Sequence, residues 1–183
     1  RIIGIDLGTT NTVVASDGTV VPQGPESDAQ RGLPSVVAFP PSGATVVGTT
    51  AKKRRAIDPK NTISSAKRLM GQGYRAYATA RFREQYPFEL VEQNGQPAFK
   101  TRSGAFSPEQ IAAKVIGKAT QPLPNVAEAR LVITVPAAFD EAARRATMEA
   151  ASLSGARTVT LVSEPIATAM AYMVTQAGCA RRA

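Results

Sequence analysis

The sequence contains no histidine and a single cysteine, Cys179, among its 183 residues. Without histidine there is no Ser-His-Asp triad, no Cys-His dyad, no HExxH zinc site and no imidazole acid–base chemistry. Catalysis in such a chain must rest on carboxylates, lysines, hydroxyls and a metal held by oxygen ligands. One cysteine cannot build an internal disulfide framework, which suits a reducing compartment. Cys179 itself reads as an incidental thiol near a frayed C-terminus. No stretch approaches the roughly 18 consecutive apolar residues that a membrane span requires. The sequence opens at Arg1, with neither a methionine nor an apolar leader run. The expectation is a cytoplasmic protein with no membrane partner.

Apolar residues make up 43% and charged residues 20% of the chain, enough for a packed core and against wholesale disorder. The length allows one ordinary domain, or two small subdomains sharing a core. Charge is unevenly spread. Lys and Arg number 22 against 14 Asp and Glu, giving +8. From Ser35 to Phe106 there are 12 basic and 4 acidic residues, while the remainder holds 10 of each. One segment therefore carries the whole net charge, a first indication of two subdomains. Its densest run, Lys52-Lys53-Arg54-Arg55, is either a solvated basic surface or a polyanion site. It lacks the interleaved aromatics of a single-strand binder, so nucleic acid is not the expected partner.

Ile2 to Leu7 is a short apolar run that reads as a buried strand. A turn at Gly8-Thr9-Thr10-Asn11, a strand from Thr12 to Ala15, and the hairpin signal Asp17-Gly18 before Thr19-Val20-Val21 make an antiparallel meander. Residues 22–34 read as a loop. Ser35–Phe39 and Thr45–Gly48 form a strand pair about a turn at 41–43. The spacing predicts a helix over Lys60–Met70, ending at Gly71. Asn94-Gly95 joins strands at Phe88–Glu92 and Ala98–Thr101. Ser107, Pro108 and Gln110 make a capped helix start. Leu131–Val135 is a buried strand stopped by Pro136. A helix from Asp140 to near Gly155, a strand at Thr158–Val162 and a helix from Glu164-Pro165 to Gly178 complete the chain. Strand–helix–strand order implies a parallel pair with a right-handed crossover. The fold class is α/β, a mixed sheet with an antiparallel meander plus parallel strands covered by helices. Residues 1–34 and 107–183 form the sheet subdomain; residues 35–106 form an inserted basic α+β subdomain.

The motif with chemical content is Gly4-Ile5-Asp6-Leu7-Gly8-Thr9-Thr10-Asn11. It is no Walker A loop, since no Gly-Lys-Ser/Thr follows and no helix opens. A glycine in a hairpin turn lets backbone approach a ligand closely, successive N–H groups can form an anion nest, and Thr9 and Thr10 add hydroxyls. Asp6 beside that turn suits a hydrated magnesium. On spacing alone a second reading stands equally: an ordinary hairpin with Asp and Thr as turn residues.

Ile3 to Asn11 resembles the first phosphate motif of the actin, hexokinase and DnaK-type chaperone superfamily, and most closely its DnaK-type heat-shock chaperones. Four further stretches agree, in family order: Gly32 to Phe39; Asn61-Thr62 through Lys67 to Gly71; Val132 to Phe139 with Ala146-Thr147; and Ser163-Glu164-Pro165 to Ala171-Tyr172. The resemblance implies the first lobe of an actin-like ATPase, whose cofactors are ATP/ADP and magnesium. Gly8, Thr9, Thr10 and Asn11 would line the β/γ-phosphates and Asp6 would hold magnesium through water. Lys67 would reach the γ-phosphate and the attacking water, and Glu164 would orient that water or hold a water of the metal. The blander readings are a solvated Lys67 and a helix-capping Glu164. Arg144 is expected at the surface without a catalytic role.

The resemblance also implies a second lobe with the adenosine site, and a substrate-binding domain for unfolded protein clients; neither motif set is found before Ala183. The chain alone is expected to bind nucleotide weakly and to hydrolyse it negligibly. An alternative is an inactive relative that acts as an interaction module, meeting itself or another lobe through an exposed face. Two departures from the family pattern stand out. Ala138 replaces the usual aromatic after Val-Pro-Ala, against communication with another domain. Thr160 and Ser163 replace Arg and Asn, so stimulation by a J-domain co-chaperone is not expected.

Overall fold

A computed structural model describes residues 1–23 and 32–180, with side chains through residue 174. The side chain of Cys179 and most of the loop expected over 22–34 lie outside what it describes. Along the chain the elements are β1 (Ile2–Leu7), β2 (Asn11–Ser16), β3 (Thr19–Val20), β4 (Leu33–Pro34), β5 (Val36–Ala38), β6 (Val46–Val47), α1 (Thr49–Arg54), β7 (Thr62–Ser64), α2 (Tyr77–Gln85), β8 (Glu89–Gln93), β9 (Gln96–Thr101), β10 (Gly104–Phe106), α3 (Pro108–Thr120), β11 (Arg130–Val135), α4 (Glu141–Leu153), β12 (Thr158–Ser163) and α5 (Glu164–Ala180).

The principal sheet runs β12-β11-β1-β2-β3, with β4 paired to β2. β1 and β2 are antiparallel, whereas β11 is parallel to both β1 and β12. This is the mixed α/β sheet expected from the sequence. Alternation explains it: Ile3, Ile5 and Leu7 on β1 and Leu131, Ile133 and Val135 on β11 are buried, while their neighbours Gly4, Asp6, Val132 and Thr134 face the other side. Except for Val135, the buried row packs in one cluster with Ile111, Val115 and Ile116 of α3 and Ala146, Ala150 and Ala151 of α4. Helix α3 begins as the sequence predicts. Ser107 Oγ accepts from the Gln110 N–H and Gln110 Oε1 accepts from the Ser107 N–H, with Pro108 at the first helical position. Asp140 caps α4 in the same manner, its carboxylate accepting from the Ala143 N–H at 2.8 Å.

Residues 35–106 carry two further three-stranded sheets, β6-β5-β7 and β10-β9-β8. All but two of the chain's aromatic residues, Phe139 and Tyr172, lie in this segment. Phe82 stacks on Tyr86 at 4.2 Å, Phe88 and Phe99 meet edge-on at 5.8 Å, and Phe39 stacks on Phe106 at 4.5 Å. These rings belong to the same buried cluster as Ile3 and Ile133. At Gly71 the segment packs tightly against α4. The glycine's φ is +73°, and an added Cβ would meet the Ala143 backbone nitrogen at 2.4 Å.

The helix expected over Lys60–Met70 is absent. Pro59–Asn61 makes one 3₁₀ turn, Thr62–Ser64 is strand β7, and Ala66–Leu69 makes a second 3₁₀ turn. Thr62 and Ile63 are β-branched and take up the free edge of β5, in register with Ala38 and Val37. Thr62 Oγ1 donates to the Asp58 carbonyl at 2.7 Å, fixing the strand's start, and Ser65 then turns the chain through φ 59°. Helices α1 and α2 and strand β10 have no strong signal in the sequence. α1 is six residues long without a side-chain cap, and α2 has none either.

Candidate functional site

The glycine–threonine turn occupies residues 8–10, between β1 and β2. Parallel register makes its surroundings specific. Asp6 of β1 stands beside Thr134 of β11, Thr134 stands beside Val162 of β12, and Val135 stands beside Ser163. The turn, Pro136 and Glu164 therefore follow the carboxyl ends of three neighbouring strands. That is where open α/β sheets place ligands, since connections diverge there and leave a crevice. Asp6 is exposed, and its Oδ1 accepts a hydrogen bond from Thr134 Oγ1 at 3.1 Å.

The turn can only be built with glycine at position 8. A Cβ there would lie 2.2 Å from the Asn11 carbonyl oxygen, far inside contact distance. The Gly8 N–H donates to the Asp6 carbonyl at 3.1 Å, tightening the bend. The N–H groups of Thr9 and Thr10, by contrast, meet no acceptor among the described residues. Two adjacent free donors in a tight bend form the cradle that an oxyanion fills.

Lys67 arrives from the second 3₁₀ turn, not from a helix. Its Nζ donates to Glu164 Oε1 at 3.2 Å, with the lysine side chain 9% and the glutamate side chain 43% exposed. The same ammonium lies 5.4 Å from the centroid of the Phe139 ring. Lys67 is thus not a solvated lysine: Glu164 and Phe139, from beyond the ends of two strands of the principal sheet, close on it. A small cavity of about 20 Å³ joins it to the turn, lined by Gly8, Thr9, Ser35 and Ala66 among others. On the other side, Thr9 and Thr10 border a cavity of about 120 Å³ with Lys52, Arg55, Ser64 and Ser65. The basic run therefore reaches the turn through two of its four members. Of the residues singled out from the sequence, the structure brings Lys67 and Glu164 into contact and gathers Gly8, Thr9 and Lys67 around one cavity. Asn11 lines neither cavity and contributes its backbone, closing on Gly8.

The residues fit a magnesium–phosphate group by their chemistry. Magnesium keeps most of its waters and takes one or two carboxylates plus phosphate oxygens. Asp6 offers one solvent-facing carboxylate beside the free N–H pair. No cluster of three or more metal-ligating side chains exists among the described residues, so a dedicated protein cage is not the arrangement here.

Ser35, Thr134 and Phe139 escaped the sequence reading as individual contributors. Ser35 lies within the Gly32–Phe39 motif, yet nothing in the sequence ties it to a turn 27 positions away. Thr134 sits on the outward face of β11 by alternation, but only the parallel register shows that it meets Asp6.

A family model described as Hsp70 protein matches residues 2–181. A chaperone protein HscA homolog from Ralstonia pickettii (strain 12J) is 41% identical over 174 residues, covering 93% of this chain and 28% of the relative. Those of Ralstonia nicotianae (40%) and Burkholderia mallei strain SAVP1 (41%) match over the same extent. The chain spans little more than a quarter of the length of these curated relatives. The likeness to DnaK-type chaperones drawn from five short motifs is thereby sustained along almost every residue, and the chain belongs to the Hsp70 family.

Proposed function

We propose that this chain is the first ATP-binding lobe of an Hsp70-type chaperone. The observation that carries the reading is the Gly8–Thr10 turn, with two free N–H donors at the carboxyl ends of parallel strands and cations on both flanks. In this reading the Thr9 and Thr10 N–H groups and hydroxyls bind the β/γ-phosphates. Asp6, oriented by Thr134, holds magnesium through water. Lys67 faces the γ-phosphate and Glu164 orients the attacking water, their mutual contact holding Glu164 beside the lysine that lines the cavity. Lys52 and Arg55 add positive potential beside Thr9 and Thr10. Bound Mg-ATP supplies the transferable phosphoryl group. The chain's own part is positioning and charge neutralisation, which is most of what phosphoryl transfer asks of a protein. It needs no histidine.

The 183-residue chain grips phosphates but offers little else. Asp6 is exposed, and the cavities against the turn, about 20 and 120 Å³, fall short of the roughly 300 Å³ of an ordinary ligand pocket. Binding of Mg-ATP is therefore expected at a Kd of about 0.1–1 mM. Turnover is expected to be negligible, because electrostatic stabilisation of a transition state requires an enclosed, preorganised site. Residues 35–106 act as an inserted lobe that delivers Lys67. Capture of unfolded clients belongs to the longer architecture of the relatives, and the location proposed is cytoplasmic. The test is calorimetric titration with Mg-ATP beside Thr10→Ala. Weak binding that the variant loses supports the reading; no binding by the unaltered chain, or equal binding by both, overturns it.

One observation favours a second reading, an interaction module. Ile166, Met170, Met173 and Val174 on α5 are each more than half exposed, a larger apolar row than an isolated surface helix usually shows. Concentration-dependent sedimentation supports self-association through α5; a single monomeric species at millimolar concentration removes it.

A further inference from the structure

We propose that Ser35 is a positioning residue that sets the phosphate turn. Ser35 makes three contacts to the turn and its flank. Its Oγ donates to the Gly8 carbonyl at 2.8 Å, its backbone N–H donates to the Thr10 carbonyl at 2.8 Å, and its Oγ lies 3.0 Å from Thr12 Oγ1. A serine hydroxyl has one proton. With that proton committed to Gly8, the Thr12 hydroxyl must be the donor in the third contact. Thr12 is fully buried, so its hydroxyl has no water to turn to. The result is a directed relay, Thr12 to Ser35 to Gly8, of the kind in which each bond polarises the next.

The relay acts on the ligand side through peptide geometry. In a trans peptide the C=O and the following N–H point in opposite directions. Drawing the Gly8 carbonyl toward Ser35 therefore drives the Thr9 N–H to the far side of that plane, where it meets no acceptor among the described residues. Holding the Thr10 carbonyl from the same residue closes the other end of the bend. Ser35 thus fixes the direction of a free donor without itself facing the ligand. Its own placement is secured by Gly32. That residue has φ +67°, and a Cβ on it would meet the Thr12 carbonyl oxygen at 2.4 Å, so β4, which leads straight into Ser35, lies directly against β2. Ser35 also lines the small cavity shared by Lys67, Gly8 and Thr9.

The inference rests on the nucleotide-binding reading for its consequence but not for its geometry, and the experiment separates the two. Amide resonances of Gly8, Thr9 and Thr10 are recorded for the 183-residue chain, Ser35→Ala and Ser35→Thr, first without ligand and then during titration with Mg-ATP. In ligand-free Ser35→Ala, the three amides are expected to shift and to exchange faster with solvent, while amides of α3 and α4 stay in place. The Kd for Mg-ATP is expected to rise about tenfold, the scale of one lost hydrogen bond. Ser35→Thr, which keeps the hydroxyl, restores both readouts. Unmoved turn amides in Ser35→Ala overturn the proposal, as does a Ser35→Thr variant as impaired as Ser35→Ala. Should the unaltered chain bind no Mg-ATP, the nucleotide reading fails, and the ligand-free amides still decide the role of Ser35.

Discussion

Two hairpin glycines in the same meander allow a steric effect to be separated from a conformational one. At Gly8 an alanine Cβ would sit 2.2 Å from the Asn11 carbonyl oxygen, where real Cβ contacts stay above 3.0 Å. The partner is backbone, not a flexible side chain, and Asn11 opens β2 and pairs with Pro34. Relief therefore requires β2 to move by about 0.8 Å at its first residue. Overpacking against fixed backbone costs about 2–3 kcal/mol. At Gly18 the situation is reversed: φ is +76° and nothing lies within 4 Å of the added atom. Gly18→Ala pays only the left-handed penalty of about 1–2 kcal/mol. That is reduced by the roughly 0.4–1 kcal/mol gained from a stiffer unfolded chain. Urea unfolding of both variants beside the unaltered chain measures the difference. At constant m, the midpoint of Gly8→Ala is expected to fall at least twice as far as that of Gly18→Ala. Mg-ATP binding should vanish in Gly8→Ala and persist in Gly18→Ala. A Gly8→Ala variant no less stable than Gly18→Ala would refute the argument, because the turn would then have room that the geometry denies.

The Lys67–Glu164 pair should respond asymmetrically. Glu164→Gln leaves an almost buried ammonium facing a neutral amide and the Phe139 ring, without its counter-charge, whereas Lys67→Met leaves a carboxylate that water already reaches. Glu164→Gln is expected to cost about 1–2 kcal/mol, well short of the value for a fully buried pair because the glutamate is partly solvated. Thermal unfolding checks the order of the two variants, and Lys67→Met as the more damaging one would contradict it. Ser107→Ala removes the side chain that accepts from the Gln110 N–H, and stability should drop by about 1 kcal/mol. Chemical denaturation with Gln110→Ala in parallel reports whether both halves of the capping box contribute, and an unchanged midpoint in Ser107→Ala would show the cap to be idle.

What was legible in the sequence was whatever rests on local chemistry. The Ser107-Pro108-Gln110 start, the Asp140 cap and the Asn94-Gly95 hairpin each depend on residues within four positions of one another. The strand β1 was legible because its apolar run is bounded by a glycine turn. The segment from Lys60 to Met70 was not, because its fate depends on an edge of β5 that only tertiary assembly supplies. The same limit applies to the site. Gly8, Thr9, Thr10, Asp6, Lys67 and Glu164 could be named from motifs, but the sequence spaces Lys67 and Glu164 97 positions apart. Their contact, like the support of Ser35 beneath the turn, appears only when the sheets are brought together. Asn11 is named by the same motif, but it lines neither cavity beside the turn.

The parallel register of the principal sheet also sets an order of events for the nascent chain. β1 can fold back on β2 as soon as both exist, but its other edge waits for β11, whose Thr134 lies 128 positions beyond Asp6. At synthesis rates of about 5–20 residues per second, that edge stays open for roughly 6–26 seconds. Closing a loop of this length afterwards costs about 4 kcal/mol in chain entropy. During the interval the first strand presents a row of unpaired amides and carbonyls on an apolar ribbon, the geometry most prone to pairing with a stranger. A protein of a chaperone family thus carries, by virtue of its own strand order, an edge of its first strand that stays open until a distant partner is made.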